Sequence, residues 1–350
     1  MKTVRVKATR SYDVHIGKDL LTSLGKYAAA IDHIQRVCIV SDTNVWPLYG
    51  DIAATSLIAE NLSFVSYVFP AGEEQKTTQT YFELLNFLAK NQISRTDLIV
   101  ALGGGVVGDL AGFAAATYLR GIPYIQVPTT LLAAVDSSVG GKTAIDLHAG
   151  KNLAGAFYQP ALVLCDTDCL NTLPTEVFRD GCAEVIKYGV LYDSELFTHL
   201  AETGLEFNRE MVITRCVELK RDVVAEDEFD TGARMKLNLG HTIGHGVEAI
   251  SNFSISHGRA VAIGMAIIAK SGSAAGICDK EAAKQILDIL TLFGLPTVCD
   301  YSAEDLHRYA LSDKKRSGGT VNLIIPERIG HCRIEPTPVT AIQSFIKAGL

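Results

Sequence analysis

The sequence predicts an α/β N-terminal domain with a parallel sheet and a mainly α-helical C-terminal domain. The first half of the chain alternates short β-rich runs with helical patterns, which is typical of parallel strands joined by crossover helices. After Pro174 the periodicity is helical, and only TVNLIIP and the final IEPTP region read as extended. A chain of 350 residues with 48% hydrophobic and 20% charged residues can bury two large cores. We therefore expect domains at residues 1–174 and 175–350.

Composition and charge exclude several classes of protein. A net charge of -7 argues against general nucleic-acid binding. The eight cysteines form no C-x-x-C pair, which favours reduced thiols over a disulfide scaffold or a zinc knuckle. The start, MKTVRVKATRSYDV, lacks the apolar block of a signal peptide, and the longest apolar run, 260–269, is too short to cross a bilayer. We expect a cytoplasmic protein with no nucleic-acid or membrane partner.

Five predicted strands end at polar or glycine-rich residues. The strands and the segments that follow them are RVCIV with SDTN, SFVSYVF with PAGEEQK, DLIVAL with three glycines, YIQV with PTT, and ALVL with CDTD. In an open α/β sheet, ligands bind in the crevice outside the carboxyl ends of the strands. The five loops should therefore converge on one extended ligand.

A glycine-rich stretch follows the third of these strands. Residues 98–121, LIVALGGGVVGDLAGFAAATYLRG, run from an apolar strand through glycines 103–105 into an alanine-rich helix. GGGVVG satisfies the Rossmann fingerprint G-x-G-x-x-G, with Gly108 at the sixth place and Asp109 directly behind it. Glycine lets the backbone approach a ligand, and the first N–H groups of the helix point at an anion. The stretch predicts a Rossmann-like phosphate cradle, although glycines after a strand are often only a tight turn.

Three histidines and one glutamate are candidate metal ligands. His241 and His245 are four residues apart in NLGHTIGHGVEA and share one face of a helix. Thr242 stands where H-E-x-x-H has its glutamate, which disfavours a metalloprotease. His257 follows, and Glu184 lies upstream on a predicted helix, so two or three imidazoles with one carboxylate would suit Zn²⁺ with an open position. Spacing alone leaves the choice among the three histidines open.

Basic residues cluster beside these motifs. Most lysines in proteins lie on the surface, where water solvates their charge. Each basic residue here, taken alone, would be interpreted in that way. Around a nucleotide cradle and a metal candidate they can supply two anion clamps, for a substrate that bears phosphate and carboxylate. The implied substrate is a small polyanion. The basic residues are Lys142, Lys151, Lys187, Lys220, Arg234, Lys314 and Lys315.

Together these motifs resemble the 3-dehydroquinate synthase family of sugar phosphate cyclases. The resemblance spans about residues 70–325 and rests on GEEQK, LGGGVVGDLAGFAAATYLRG, QVPTTLLAAVDSSVGGKTAID, GKNLAGAFYQP, GCAEVIKYG, LNLGHTIGHGVEA, SHGRAVAIGM and DKK. It implies a dehydroquinate synthase-like fold, NAD with one Zn²⁺ or Co²⁺, and a homodimer.

The resemblance also implies a reaction, that of a phosphorus–oxygen lyase of the shikimate pathway to aromatic amino acids. The substrate, 3-deoxy-D-arabino-heptulosonate 7-phosphate, becomes 3-dehydroquinate and phosphate. The steps are transient oxidation by NAD, elimination of phosphate, reduction and aldol cyclisation, with no net redox change.

Roles for individual residues follow from the same resemblance. It implies Glu184, His241 and His257 as metal ligands, and it assigns His245 to the substrate. It implies that Arg120 reaches the partner subunit's site. The implied NAD-binding residues, some of which lie between NAD and substrate, are Asp42, Asn44, Glu73, Lys76, Gly104, Gly105, Val106, Val107, Gly108, Asp109, Thr129, Thr130, Asp136, Lys142, Lys151, Cys169, Leu170, Asn171 and Thr172. The implied substrate contacts are Lys142, Asn152, Lys187, Lys220, Arg234, Asn238, His245 and one of Lys314 or Lys315.

Three alternative functions compete with this interpretation. A metal-dependent alcohol dehydrogenase of the glycerol dehydrogenase kind shares the architecture, but it has no use for the phosphate clamps. Another cyclase, such as 2-deoxy-scyllo-inosose synthase or a heptulose phosphate cyclase, shares the chemistry; Asn238 and His245 favour dehydroquinate synthase. An NAD-binding sensor without turnover would not need the intact metal and substrate constellation.

Overall fold

The structure, a computed structural model, describes residues 1–312 and 319–350. The chain forms two compact units. The first, called here the α/β unit, contains Met1–Leu173 and Arg209–Phe229. The second, the helical unit, contains Pro174–Asn208 and Asp230–Leu350. Residues 209–229 therefore pack with the first unit, whereas the sequence analysis grouped them with everything after residue 174.

A seven-stranded sheet forms the centre of the α/β unit. Its order is β1-β2-β9-β6-β5-β3-β4, and β1 pairs antiparallel with β2 while the other neighbours are parallel. The five strands predicted to be parallel are β3, β4, β5, β6 and β9, and that prediction is confirmed. The strands of this sheet are β1 Lys2–Val6, β2 Tyr12–Gly17, β3 Arg36–Asp42, β4 Ser63–Phe69, β5 Leu98–Gly103, β6 Tyr124–Pro128 and β9 Leu162–Asp166.

Side chains alternate between two apolar cores on the two faces of this sheet. On β3, Val37 and Ile39 enter one core and Cys38 and Val40 enter the other. Both faces are covered, which is why the strands read as continuous apolar runs. Residues of α1 and α2 contribute to the first core, and residues of α3 and α4 to the second. These helices are α1 Leu24–Ala29, α2 Trp46–Ala59, α3 Thr78–Lys90 and α4 Gly105–Thr117.

The strand order changes direction at β3. The chain passes from β3 outward to β4 and then returns to β5 on the other side of β3. In such a sheet the crevice for a ligand opens at the carboxyl ends of the two strands beside the reversal. Here those ends are Asp42 on β3 and the glycine loop after β5.

Three elements of the α/β unit were not predicted. They are a hairpin of β7 Lys142–Leu147 and β8 Gly150–Phe157, a π-helix at Ala133–Ser137, and the placement of α7, Arg209–Glu226. β8 has no buried residue and is rich in glycine and alanine, so it lacks the apolar alternation of a strand. α7 packs on β1 and β2, and helical periodicity does not reveal which unit a helix joins.

The helical unit is organised around α9, whose residues are mostly buried. α9 packs against α5, α8, α10 and α12. The predicted extended segments form an antiparallel hairpin of β10 Thr320–Arg328 and β11 His331–Pro338. Within residues 1–312 and 319–350, no helix combines the length and hydropathy that crossing a membrane requires. The helices of this unit are α5 Thr175–Tyr192, α6 Ser194–Thr203, α8 His241–Ile250, α9 His257–Ala274, α10 Lys280–Leu292, α11 Ala303–Ser312 and α12 Val339–Gly349.

Candidate active site

The glycine loop joins β5 directly to α4. β5 ends at Gly103, and Gly104 is the N-cap of α4 with a φ of -77°, so the loop needs no left-handed residue. A Cβ on Gly108 would lie 2.6 Å from Oε1 of Gln126 on β6, so glycine permits the helix to pack closely on the sheet. The first N–H groups of α4 have no partner inside the helix and can receive an anion.

Lys76 connects the glycine-loop helix to the β7–β8 hairpin. It is 3% exposed, and its Nζ lies 2.6 Å from Oδ2 of Asp109 and 2.5 Å from Oδ1 of Asn152. Glu73 extends the network, with its Oε1 3.6 Å from Nζ of Lys151. Burial opposes the charge of Lys76, but Asp109 and Glu73 outweigh burial and raise the pKa of Lys76 above its ordinary value. Five residues singled out in the sequence thus form one charged network.

Other predicted NAD-binding residues lie at neighbouring strand ends. Oδ1 of Asp42, the last residue of β3, accepts a hydrogen bond from the backbone N–H of Asn44 at 2.8 Å. Thr129 and Thr130 follow β6, and the N–H of Thr129 donates to the carbonyl of Gly103 at 3.0 Å. The carboxyl end of β6 is therefore fixed beside the glycine loop.

The segment after β9 is held by a tyrosine that the sequence analysis did not single out. Cys169, Leu170, Asn171 and Thr172 lie in a short 3-10 helix, Thr167–Thr172. The hydroxyl of Tyr49 donates to the carbonyl of Cys169 at 2.9 Å and lies 2.5 Å from Oγ1 of Thr172. Nothing in the spacing of Tyr49 signals this role, because the contact joins residues more than a hundred positions apart.

Asp136 and Lys220 form an ion pair within the α/β unit. Asp136 lies in the π-helix, and Lys220 lies on α7 and is buried. Lys220 Nζ contacts the carboxylate of Asp136 and donates to its backbone carbonyl at 2.6 Å. The sequence-based division placed Lys220 in the second domain, and the packing of α7 instead brings it to the unit that holds Asp136.

The hairpin carries three predicted residues. Lys142 begins β7 and is exposed, and Lys151 and Asn152 lie in β8. Oδ1 of Asp146 accepts the backbone N–H of Asn152 at 2.7 Å. Asn152 has a φ of 55°, a left-handed conformation that asparagine tolerates better than most residues. The turn therefore fixes the backbone from which Asn152 reaches Lys76.

Arg120 lies in a strained turn after α4. Leu119 has a φ of 50°, Arg120 of 69° and Gly121 of 118°, so three consecutive residues have positive φ. Left-handed backbone in non-glycine residues costs about 1 to 3 kcal/mol and persists where the surroundings impose it. The turn leaves the Arg120 side chain exposed on the α/β unit.

In the helical unit, Glu184, His241 and His257 form a compact cluster. Glu184 on α5 is fully buried, and its Oε1 lies 3.4 Å from Nε2 of His241 and 3.5 Å from Nε2 of His257. One ligand atom from each residue lies within 4.8 Å of the others. A carboxylate and two imidazoles are donors that Zn²⁺ and Co²⁺ accept, so these residues fit such an ion with room for a further ligand.

Glycines fix the three helices that carry this cluster. Gly240 precedes His241 with a φ of 79°, and a Cβ there would lie 2.6 Å from the carbonyl oxygen of Val261 on α9. Gly258 follows His257, and a Cβ there would overlap the carbonyl oxygen of Asp180 on α5. A larger residue at either position would displace a histidine from Glu184.

The two clustered histidines differ in their pKa. Burial, with a further contribution from the Lys187 ammonium, lowers the pKa of His241 to about 3, so its ring is neutral at pH 7. Burial also opposes a charge on His257, but hydrogen bonds with Glu184 and Glu248 raise the pKa of His257 to about 10. Lys187 is itself buried one turn after Glu184 and forms an ion pair with it.

His245 lies beside the cluster but differs from His241 in exposure. It is exposed, and its ring centroid is 5.5 Å from that of His241 and 6.3 Å from that of His257. A second group with metal-ligand spacing combines His245, Glu248 and His257. His245 is therefore absent from the group that contains Glu184, but it belongs to a second group that could also hold a cation.

The remaining predicted substrate residues lie just before α8. Arg234 and Asn238 belong to a 3-10 helix, Ala233–Asn238, and Arg234 is 2% exposed. Since arginine stays charged, a buried guanidinium fixes a positive charge in the segment that leads to His241. Lys314 and Lys315 lie outside the described residues.

Glu248 is a further residue that the sequence analysis missed. It is 3% exposed, and its Oε2 lies 3.3 Å from Nδ1 of His257. The available signal was helical spacing, because residues 241, 245 and 248 share one face of a helix.

Sequence models of one family match both halves of the chain. The model described as 3-dehydroquinate synthase N-terminal matches residues 66–180, and the model described as 3-dehydroquinate synthase C-terminal matches residues 181–316. A protein of Enterococcus faecalis named 3-dehydroquinate synthase is 41% identical, over 99% of this chain and 98% of that protein. One of the same name from Pelobacter propionicus is 45% identical, over 97% and 96%.

Solved structures of sugar phosphate cyclases are also similar. A 2-deoxy-scyllo-inosose synthase complexed with carbaglucose-6-phosphate, NAD⁺ and Co²⁺ has a TM-score of 0.90 at 27% identity and 100% coverage of both chains. ValA, the 2-epi-5-epi-valiolone synthase of Streptomyces hygroscopicus with NAD⁺ and Zn²⁺ bound, has a TM-score of 0.89 at 27% identity, covering 100% of this chain and 98% of that one. A glycerol dehydrogenase from Schizosaccharomyces pombe, at 18% identity, TM-score 0.66 and coverage of 96% and 88%, shares the fold alone.

The fold and the carboxylate–histidine cluster define a two-unit enzyme of the sugar phosphate cyclase type. Within that class, the family is shown by the two matched family models and by the relatives that align over nearly the full length of the chain. The chain belongs to the 3-dehydroquinate synthase family. It is accordingly a phosphorus–oxygen lyase that eliminates phosphate and closes a ring.

Proposed function

We propose that the chain converts 3-deoxy-D-arabino-heptulosonate 7-phosphate to 3-dehydroquinate and phosphate in the shikimate pathway. One observation carries the proposal: relatives named 3-dehydroquinate synthase are 41% and 45% identical over nearly the whole chain, whereas the similar cyclases that close other rings are 27% identical. The reaction joins oxidation of a secondary alcohol, loss of phosphate, reduction, ring opening and aldol closure. It produces no net redox change.

The cation would be held in the helical unit. Glu184, His241 and His257 fit Zn²⁺ or Co²⁺, and the similar cyclases have one or the other bound. A divalent cation would polarise the alcohol oxygen during oxidation and stabilise developing negative charge. Glu184 offsets part of the cation's charge, and neutral His241 offers a ring-nitrogen lone pair at pH 7.

NAD would be held by the α/β unit, which contains all the residues implied for it. The glycine loop presents the N–H groups of α4 to the pyrophosphate, and Lys76 adds a buried positive charge. Asp42 and Asn44 would face the adenosine, and residues 169–172 would also contact NAD, because both groups lie at the carboxyl ends of strands of the same sheet. NAD supplies a hydride acceptor that is regenerated in each turnover.

The basic residues would hold the substrate's two anionic groups. Arg234 and Lys187 are buried cations in the helical unit, and Lys220 is one in the α/β unit. Buried cations of this kind suit phosphate and carboxylate, and a dehydrogenase for a neutral alcohol does not require them. The other residues proposed for substrate contact are Lys142, Asn152, Asn238, His245 and one of Lys314 or Lys315.

A homodimer is part of the proposal, with Arg120 completing the partner subunit's site. The strained, exposed turn at Leu119 and Arg120 supports it, because strain is retained where a conformation has a function. Mixing Arg120→Ala with Lys187→Ala subunits should restore about a quarter of native activity, since half of the dimers are mixed and one of their two sites is intact. Activity that stays at the level of the unmixed variants would mean self-contained sites.

The surroundings of the enzyme follow from its charge and substrate. A net charge of -7 gives nucleic acid no general attraction, and a small sugar phosphate is the proposed partner. We propose a cytoplasmic location, in keeping with eight cysteines that form no disulfide in the described part of the chain.

One assay tests the function directly. The purified protein is incubated with the heptulosonate phosphate, Zn²⁺ or Co²⁺ and a catalytic amount of NAD⁺, and phosphate and dehydroquinate are measured together. We expect equal amounts of both products and no accumulated NADH, with His241→Ala as the inactive control. Parallel reactions receive glucose 6-phosphate, a heptulose 7-phosphate without the carboxylate, or glycerol. Faster phosphate release from either sugar, or stoichiometric NADH from glycerol, would contradict the proposal.

A further inference from the structure

Glu248 is a buried carboxylate to which the proposed reaction assigns no role. It lies on α8, seven residues after His241, and is 3% exposed. Burying a carboxylate is costly unless hydrogen bonds or charges compensate. Its Oε2 lies 3.3 Å from Nδ1 of His257, the first residue of α9. The helix that begins with one candidate ligand therefore contacts another near its end.

The two ring nitrogens of His257 face different carboxylates. Nε2 lies 3.5 Å from Glu184, and Nδ1 lies 3.3 Å from Glu248. A neutral imidazole has one N–H and one lone pair. If Nε2 offers its lone pair to a cation beside Glu184, the hydrogen must be on Nδ1, where Glu248 accepts it. This arrangement selects both the tautomer and the ring orientation that metal binding requires.

His241 provides a comparison within the same cluster. Its Nδ1 lies 3.1 Å from the backbone carbonyl oxygen of Leu239, a neutral acceptor that belongs to the chain just before it. Glu248 is a charged acceptor on a different helix. A carboxylate partner raises the basicity of a ligating imidazole and fixes its ring. The ring orientation of His257 should therefore depend on the side chain of Glu248, which can be substituted. The ring orientation of His241 should depend on a backbone carbonyl, which side-chain substitution does not remove.

We propose that Glu248 is a positioning residue for the cation: it accepts the Nδ1–H of His257, holds Nε2 toward Glu184 and strengthens metal binding. The inference rests on the proposed function for the cation, but not on which sugar phosphate is converted. The competing arrangement makes Glu248 a ligand itself, in the group with His245 and His257.

Metal affinity of the full chain provides the first test. Metal-free protein is titrated with Zn²⁺ and Co²⁺ against a competing chelator for the native chain, Glu248→Ala, Glu248→Gln and Ser271→Ala. Glu248→Ala should bind about 10- to 100-fold more weakly with one ion still bound per chain. Glu248→Gln keeps an oxygen acceptor and should recover part of that loss. Ser271→Ala is the control, because Ser271 lies elsewhere on α9 and its hydroxyl donates to the backbone carbonyl of Phe345 on α12. This variant should bind the ion as tightly as the native chain does.

The ring N–H protons of the Co²⁺ form give the second test. Ligating histidines show shifted signals for these protons, which exchange with solvent. The His257 signal should exchange faster in Glu248→Ala, while the His241 signal, held by the Leu239 carbonyl, serves as the internal control. A general loosening of the fold would affect both signals.

Each outcome decides a different point. Equal affinity of Glu248→Ala and Ser271→Ala would overturn the role of Glu248 alone. A changed Co²⁺ absorption spectrum in Glu248→Gln, together with equal metal loss in His245→Ala and His241→Ala, would make Glu248 a ligand and overturn the positioning role. Failure of the native chain to bind either ion would overturn the cation site and this inference together, whatever substrate the enzyme converts.

Discussion

The two units of the molecule build their sites in different ways. In the α/β unit the implied NAD-binding residues lie mostly at strand ends, where Lys76, Asp109, Asn152 and Glu73 form a network of charges. In the helical unit Glu184, His241 and His257 come from three helices whose close approach depends on glycines. The edge of the sheet determines the positions of the residues in the first site, and the packing of helices determines those in the second.

This difference predicts the kind of substitution to which each site is most sensitive. The strand-end site should be sensitive to the loss of charge partners, because the sheet fixes its geometry independently. The helical cluster should be sensitive to added volume, because close packing against α9 sets the positions of its three side chains. The affinities for NAD and for the cation therefore report on the two sites separately.

The largest expected effect is the loss of Lys76. Lys76→Met leaves Asp109 without its buried partner, and breaking such a pair costs about 3 to 5 kcal/mol of unfolding free energy. NAD affinity, measured by calorimetry, should fall, whereas the cation affinity of the folded protein should stay within about threefold of native, about 0.7 kcal/mol. Lys284→Met, which breaks an exposed ion pair with Asp288, is the control and should leave the unfolding free energy nearly unchanged. Equal cost for the two substitutions would show that the network contributes little.

The next effect concerns Gly240. Gly240→Ala combines a positive φ with a contact to the backbone of α9, so it should cost about 3 kcal/mol or more in unfolding free energy and lower the cation affinity. Gly276→Ala is a matched control in the same unit, because Gly276 has a φ of 70° and nothing within 4 Å of a new Cβ. It should cost only about 1 kcal/mol, the strain alone. If both variants behave alike in thermal unfolding and metal titration, close packing does not position His241.

The two histidines on α8 provide the third prediction. His241→Ala removes one of the three proposed protein ligands, so its cation affinity should fall by more than about 100-fold, beyond the loss expected for an outer hydrogen-bond partner. His245→Ala should keep one ion per chain and lose turnover or substrate affinity worth about 1 to 3 kcal/mol. Metal analysis of both purified variants is the measurement. Equal metal loss in the two variants would contradict this assignment and would favour a metal site in which both histidines of α8 are ligands.

Local patterns in the sequence predicted the scaffold of the α/β unit and the candidate residues at its edge. Each of the five parallel strands is rich in apolar residues, and its polar or glycine-rich residues lie at the end of the strand or directly after it. The glycine loop and the pair His241 and His245 were recognisable for the same reason: their members are neighbours in sequence.

Partners that are distant in sequence were not predictable. The placement of α7 beside Asp136, the contact of Tyr49 with Thr172 and the contact of Glu248 with His257 all depend on which elements pack together. Helical and strand periodicities indicate which face of an element is buried, but they do not indicate what covers it. The hairpin at β7 and β8 was missed because β8, which is rich in glycine and alanine and has no buried residue, carries no strand pattern.

The smallest expected effect tests whether helix packing alone positions His257. α9 begins at His257, but its N-cap residue, Ser256, makes no side-chain capping bond. Instead Oδ1 of Asp180, one turn before Glu184 on α5, accepts the N–H of Arg259 at 2.9 Å and the hydroxyl of Ser256 at 2.5 Å. The helix that carries one proposed ligand, His257, is therefore capped by the helix that carries another, Glu184.

Removal of this cap should cost about 1 kcal/mol of unfolding free energy in Asp180→Ala, the usual worth of an N-cap, and less in Asp180→Asn, which keeps an acceptor. Asp279→Ala removes a local cap at the start of α10 and should destabilise the protein similarly. Only Asp180→Ala should also weaken cation binding, by about fivefold if the same 1 kcal/mol acts on the site. Thermal unfolding and metal titration of the three variants measure both quantities. Because Asp180 joins the backbone of α9 to α5, unchanged cation affinity in Asp180→Ala would mean that the glycine contacts hold His257 without the cap.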